Sequence, residues 1–395
     1  MSISDLSPEL FKIIGDCLEI NDARNARLAC KQIGEYLEPQ ILSSLVICCT
    51  GHNLVEKQLL RIESLARGEY PAIVRSVRSL SIGPWFLKEK PGPELDLSPS
   101  GSCGSPDTVL NNRVSQFLKT LSKALLCLTG VTSVRWIRSA RDPMCITSSV
   151  ADALQAFPRL RRLSFVQYTE TNLEALGNVT SGLNELPDLE EIGVQIDTNS
   201  EYDSEMLRYF AKVLVASPNL ESLSIVNTRR RADSIPNSSV HQLFEQCSPS
   251  NPVHLKKLSL SNMLVNLAGS ILPHFRHLVS LHLVRIFEPG VTDKMYGRRF
   301  RPEHLLETAS TGSTLDHTWT ALSSIKVCLQ EITVDNIGNG FIDYVSAYSG
   351  LKKLDIRSPW YPDAATRIIL ELDFLLKGNG ALVLTTSRFS VNAAD

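Results

Sequence analysis

The 395-residue sequence predicts an α/β chain. A short helical module comes first, and an irregular repeat solenoid follows, with parallel strands inside and helices outside. Three observations predict it. Residues 7–18 place apolar side chains at helical spacing behind a helix-start signal. A strand word of the form Leu-x-x-Leu-x-Leu then recurs from Leu160 to Ile356. Helical stretches separate the copies, and self-similarity at periods of roughly 20–50 residues marks a solenoid. The spacing varies, so an ordinary doubly wound α/β domain is the alternative.

In chain order, Ser7 stands as an N-cap, Pro8 at the first helical position and Glu9 in the first turn. Leu10, Ile13, Ile14 and Leu18 follow on one face. Asn21 and Asp22 break this helix and cap a second, along which Ala26, Leu28, Ala29 and Ile33 continue the apolar count. Leu37 and Pro39 close the unit and lead into an apolar strand at 45–49. So short a bundle cannot bury all its apolar surface by itself. It reads as a docking module, or else as the helical cap of a larger domain. Next comes an amphipathic helix at 54–67, with Leu54, Leu59, Ile62 and Leu65 on one face and Pro71 as its stop. A strand follows with Val77, Leu80 and Ile82 pointing one way. The stretch 85–107 is rich in Pro, Gly and Ser, the composition of a disordered insertion. Residues 110–128 return to helix, and Val131, Val134 and Trp136 form a weaker strand word.

The full words are Leu160/Leu163/Phe165, Leu189/Ile192/Val194, Leu220/Leu223/Ile225, Leu255/Leu258/Leu260, Leu278/Leu281/Leu283, Leu322/Ile325/Val327 and Leu351/Leu354/Ile356. On the middle anchor, Leu163 to Ile192 is 29 residues and Ile192 to Leu223 is 31, whereas Ile325 lies 44 beyond Leu281. Helices are expected at 173–183, 204–216, 240–247 and 341–348. A helix at 365–376 and a strand at 381–385 would cap the array, leaving a frayed tail at 392–395.

Composition excludes several classes of function. A net charge of −2 and a pI near 6.5 give no global field for nucleic acid or an anionic membrane, and neither is expected as a partner. No apolar run reaches the length of a membrane span, and Asp5 and Glu9 interrupt any signal-peptide pattern. Nine cysteines without CxxC spacing read as reduced thiols, so a cytoplasmic or nuclear location is expected. His274, His277 and His282 cluster without zinc-site spacing. No GxSxG, P-loop or GxGxxG precedes a helix, and Gly338-Asn339-Gly340 is a turn signal. No catalytic residue, metal or cofactor is therefore predicted. Two arginine runs, Arg229 to Arg231 and Arg298, Arg299 and Arg301, read as solvated loop charge or as phosphate contacts.

The order of residues in the opening module resembles an F-box. Leu6, Pro8, Glu9 and Leu10 match its opening segment, and Ile13, Ile14 and Leu18 its aliphatic run. Asp22 falls at its turn, and Arg27, Leu28, Cys30 and Lys31 match its Arg-Leu-x-Cys-Lys segment. Leu37 and Pro39 continue as in fungal members. Ala23 and Ala26 replace bulkier aliphatics, and no tryptophan ends the motif. The strand-plus-helix unit resembles a leucine-rich repeat. It departs from that pattern where an asparagine is usual, three places after the last leucine: Thr228, Met263 and Ile286 stand there. The resemblance implies an F-box over 1–50 and a leucine-rich-repeat solenoid over 51–395. It implies a non-enzymatic, substrate-recruiting subunit of an SCF-type cullin ubiquitin ligase. Leu6, Pro8, Glu9, Leu10, Ile14, Leu18 and Leu28 would meet a Skp-type adaptor, and the repeats would bind a substrate protein. A repeat scaffold outside a ligase and a cryptic hydrolase are the alternatives.

Strand alternation points to a substrate face. Between buried anchors, every second residue faces the other side of the sheet. Lys257, His282, Lys326, Lys353 and Arg357 fall at such places and would form a positive strip for an acidic or phosphorylated segment. The alternative is a solvated strip, with the contact on loops such as Arg229 to Arg231.

Overall fold

A computed structural model describes residues 7–29, 31–48, 52–85, 108–139, 142, 144–168, 183, 186, 188–197, 203–228, 239–265, 267, 269–287, 315–335, 337–348, 350–357 and 383–386. The chain divides into two compact units, Met1–Val166 and Gln167–Asp395.

The first unit opens with three helices, α1 (Pro8–Cys17), α2 (Ile20–Ala26) and α3 (Lys31–Ile41). Ser7 occupies the N-cap in extended backbone, with Pro8 at N1 and Glu9 in the first turn. The second helix starts at Ile20 behind Glu19, so Asn21 and Asp22 lie within it and do not cap it. Phe11, Ala23, Ile33, Leu37 and Ile41 form the module's core, with Leu18, Ala26 and Leu42 packed against it. Ala23 is fully buried. The small residue there lets α2 sit close to α3, and a bulkier aliphatic would overpack the site.

Strands and helices then alternate: β1 (Ser44–Ile47), α4 (His52–Ala66), α5 (Pro71–Ser76), β2 (Ser79–Ile82), α6 (Thr108–Leu126), β3 (Ser133–Ser139), α7 (Met144–Gln155) and β4 (Arg162–Tyr168). Pro71 opens α5 at its N-terminal turn, where its missing N–H leaves no helical bond unmade. The expectation for 85–107 is corrected at its first residue. Trp85 is buried, packs edge-on to Phe117 at 5.9 Å, and donates its backbone N–H to Asp142 Oδ1 at 2.7 Å. Residues 86–107 lie outside the described residues.

The second unit holds β5 (Glu191–Asp197), β6 (Ser222–Asn227), β7 (Lys257–Leu264), β8 (Ser280–Phe287), β9 (Glu331–Val334), β10 (Lys353–Ile356) and β11 (Val383–Thr386). Helices Asp203–Ala216, Val240–Phe244, Asp316–Ser324 and Asn339–Ser346 connect them, with a 3₁₀ turn at Leu272–Phe275. The expected helices at 173–183 and 365–376 fall outside the described residues, apart from Leu183. In each unit the strands pair in chain order, and every pairing with an assigned register is parallel. The architecture is α/β and leucine-rich-repeat-like, with helices covering one side of the sheet. The anchors on that side, such as Leu220, Leu223 and Ile225, are almost wholly buried.

One backbone device marks the start of successive repeats. A single carbonyl accepts two consecutive N–H groups from the next repeat. Ser43 accepts Arg78 and Ser79, Glu190 accepts Glu221 and Ser222, and Glu221 accepts Lys256 and Lys257. Lys256, Val279 and Gln330 do the same for the repeats that follow. Register is thus held by backbone geometry even though the sequence spacing varies.

That device corrects the sixth strand word. Leu322, Ile325 and Val327 do not form a strand: Leu322 is buried on the helix Asp316–Ser324, and Lys326 follows in a left-handed turn at φ 56°. The true anchors are Leu329, Ile332 and Val334. Tyr344 Oη donates to the Val327 carbonyl at 2.7 Å and Tyr348 Oη to the Leu329 carbonyl at 2.9 Å, satisfying the turn that the spacing rule mistook for strand. The glycine pair at 338 and 340 opens the next helix. A Cβ on Gly340 would lie within 3.1 Å of Asp316, whose Oδ1 accepts the Gly340 N–H.

Candidate functional site

Two surfaces stand out. The first is the helical module. On α1, Phe11 and Gly15 turn inward with the half-buried Leu18, while Leu10, Ile13 and Ile14 face outward. The helix is therefore apolar on both faces, where the spacing had predicted one. Leu10 is 45% exposed, Ile14 42% and Leu28 77%. Ile13 and Ile20, outside the expected contact set, are exposed as well. Burying an aliphatic side chain contributes about 1.5–3 kcal/mol, so this group forms a large unused reserve of binding energy. Of the other residues expected to meet an adaptor, Glu9 is exposed and Leu18 packs against the module's own core. Pro8 starts α1. Leu6 lies outside the described residues.

The second surface is the uncovered face of the second unit's sheet. Its rows follow from the register. Lys257 lies beside Ser280, Ser280 beside Glu331, and Glu331 beside Lys353. In the next row Ser259, His282, Thr333 and Asp355 are neighbours. Lys257, His282 and Lys353 therefore sit on this face, and Arg357 follows β10 at its edge. Lys326 does not, because its turn lies outside the strand.

The positive strip expected here does not form. Glu331 separates the two lysine positions and accepts a hydrogen bond from Ser280 Oγ at 3.0 Å. Arg357 Nε is held by Asp355 Oδ2 at 2.9 Å. Burial, reinforced by the Arg357 charge, pushes the His282 ring down to about 4, so it is neutral at pH 7. Asp335 accepts the Arg285 N–H at 2.6 Å, yet burial pushes its carboxyl up to about 6. The face carries alternating charges rather than one sign.

Sequence reasoning missed the side chains that hold the strand ends. The asparagine it sought three places after the last leucine lies two places after it, at Asn227 and Asn262. Asn262 sits at φ 55° and its Nδ2 donates to the Asn227 carbonyl. Asparagine tolerates the left-handed region better than most residues, and Ile225-x-Asn and Leu260-x-Asn were the readable signal.

His274 is buried, its Nδ1 accepts the Val253 N–H at 3.0 Å, and burial pushes its pKa down. Among the described residues no group of three or more His, Cys, Asp or Glu side chains is placed to hold a metal, and no helix is long and apolar enough to cross a membrane. Both arginine runs lie outside the described residues.

No family model matches the chain, and no curated protein matches it. Among solved structures the chain is similar to one in the crystal structure of a yeast complex of Rad7 and Elc1. The identity is 12% and the TM-score 0.40, over 89% of this chain and 76% of that one. A likeness of that size assigns neither a family nor a function.

Proposed function

We propose that the protein is a substrate-recruiting subunit of a cullin-type ubiquitin ligase. The helices α1–α3 dock on a Skp-type adaptor, and the uncovered sheet face of the second unit holds the substrate protein. The observation that carries this reading is the three-helix module, which has a five-residue core yet leaves Leu10, Ile13, Ile14, Ile20 and Leu28 in solvent. An apolar group of this kind on a small module marks an interaction site. The F-box-like order of residues says which partner fits it. On the sheet face, Lys257 and Lys353 are exposed and available to acidic groups of a substrate, while His282 offers a neutral hydrogen-bonding ring.

The test is a titration of the full chain with purified Skp-type adaptor. Wild type should bind saturably. Ile14→Asp with Leu28→Asp should weaken binding at least about tenfold, the equivalent of about 1.4 kcal/mol, with the melting temperature unchanged. Absence of binding by a folded wild-type chain would remove the ligase reading.

A further inference from the structure

A groove of about 540 Å³ lies in the first unit, away from α1–α3, lined by Leu118, Lys119, Ser122, Lys123 and Leu126 of α6, by Cys127 just after it and by Ser149 of α7. Its shape follows from residue size. Ser122 and Ser149 are too small to fill the space between the helices, and the larger Leu118 and Leu126 stand at either end of the α6 wall. Leu126 is 50% exposed, although an aliphatic side chain gains from burial. Its charge is one-sided. From Thr108 to Leu126 the helix contains Arg113, Lys119 and Lys123 and no acidic residue, and α7 contributes the single carboxylate Asp152. Lys119 and Lys123 are exposed, and neither belongs to an ion pair among the described residues.

We infer that this groove docks an acidic amphipathic helix of a partner protein. Leu118 to Leu126 spans eight steps along α6, roughly 12 Å at the helical rise, which is the length of a little over two turns of a bound helix. The apolar floor takes the leucine-type face of that helix. Lys119 and Lys123, one turn apart, meet two carboxylates spaced four residues apart on its flank. An extended polyanion is a poorer match, because the floor is apolar and offers only two cations. The site is independent of the adaptor-docking reading, since it uses neither α1–α3 nor the second unit.

The experiment is fluorescence anisotropy of a labelled 14-residue helical peptide against the full chain. The peptide carries leucines on one face and glutamates four apart beside them, and a control peptide has lysine in place of glutamate. The acidic peptide should bind with a Kd of about 10–100 µM, as expected of a small transient interface, and raised salt should weaken it. Lys119→Glu with Lys123→Glu should weaken it at least tenfold, Lys119→Arg with Lys123→Arg should retain it, and Leu126→Ser should weaken it at unchanged charge. These side chains are exposed, so circular dichroism should show each variant folded, and Lys119→Gln with Lys123→Gln gives the same reading if the reversal disturbs α6. Three results would overturn the proposal: no saturable binding, equal binding of the lysine peptide, or affinity indifferent to the lysine changes. So would a concentration-dependent dimer abolished by Leu126→Ser, because a second copy of the chain would then be the occupant.

Discussion

Asp335 and His282 face the same uncovered surface and titrate in opposite senses. The carboxyl is pushed up to about 6 from 3.8, so the fold prefers it protonated. Its contribution is fully present below pH 3.8 and is lost as pH rises through about 6. The imidazole is pushed down to about 4 from 6.5, so the fold prefers it neutral. Its contribution is fully present above pH 6.5 and is lost as pH falls through about 4. Between these limits the two slopes oppose each other, and stability from this pair should be nearly flat. Asp335→Asn keeps an acceptor for the Arg285 N–H and removes one slope. The variant should match wild type near pH 4 and exceed it at pH 7.5 by up to about 2–3 kcal/mol, read from denaturant melts at each pH. Equal stability at both pH values would show that the Asp335 carboxyl is not desolvated. Asp142 makes the contrasting case. It is buried and accepts the N–H groups of Trp85 at 2.7 Å and Ser139 at 2.8 Å. Asp142→Ala leaves both donors unpaired and should cost about 2–4 kcal/mol in the same melts. Nothing in the sequence near 142 announced this carboxylate, because its partner Trp85 is 57 residues away.

At the scale of elements, the module α1–α3 separates stability from binding. Phe11 is buried and stacks on Tyr36 at 4.9 Å, so Phe11→Ala should destabilise by about 3 kcal/mol or more. Leu28→Ala at an exposed position should change the melting temperature by little. On the proposed adaptor docking, affinity should show the reverse order for Leu28→Ala, and a Leu28 variant that melts early would place that side chain in the core. The segment after Trp85 is tested in the same way. On the insertion that its Pro, Gly and Ser content predicts, replacing 87–106 with a Gly-Ser linker should be tolerated, whereas a deletion that starts at 85 removes Trp85 from its contact with Phe117 and should destabilise. Helix periodicity and strand words made most of these elements legible, including β3 from its weak copy and β11 from five residues. They failed where two periods overlapped. Leu322-x-x-Ile-x-Val reads as a strand, but Leu322 answers to the helix that buries Trp319 against Phe341 and Tyr344. Only tertiary packing decides between the two readings.

For the molecule as a whole, the repeat pattern foretold which side of the sheet is uncovered but not its charge. Charge along a strand is legible in sequence, whereas charge across strands depends on register, and the misplaced strand puts Ser324 where Glu331 belongs and Lys326 where Thr333 belongs. The corrected face offers two exposed lysines, at 257 and 353, with Glu331 between them in the same row and Arg357 engaged by Asp355. If an acidic segment of a substrate is held there, Lys257→Glu with Lys353→Glu should lower its recovery strongly in affinity purification from cells. Both residues are exposed, so the melting temperature should stay within a few degrees. Adaptor binding should be unchanged, because α1–α3 belong to the other unit. Lys326→Glu serves as the internal control, since its turn lies off the face and its reversal should leave the recovered proteins as they are. Glu331→Gln completes the set: removing the carboxylate between the lysines should strengthen capture of an acidic partner, and capture weakened by that change would mean that the partner's matching group is basic.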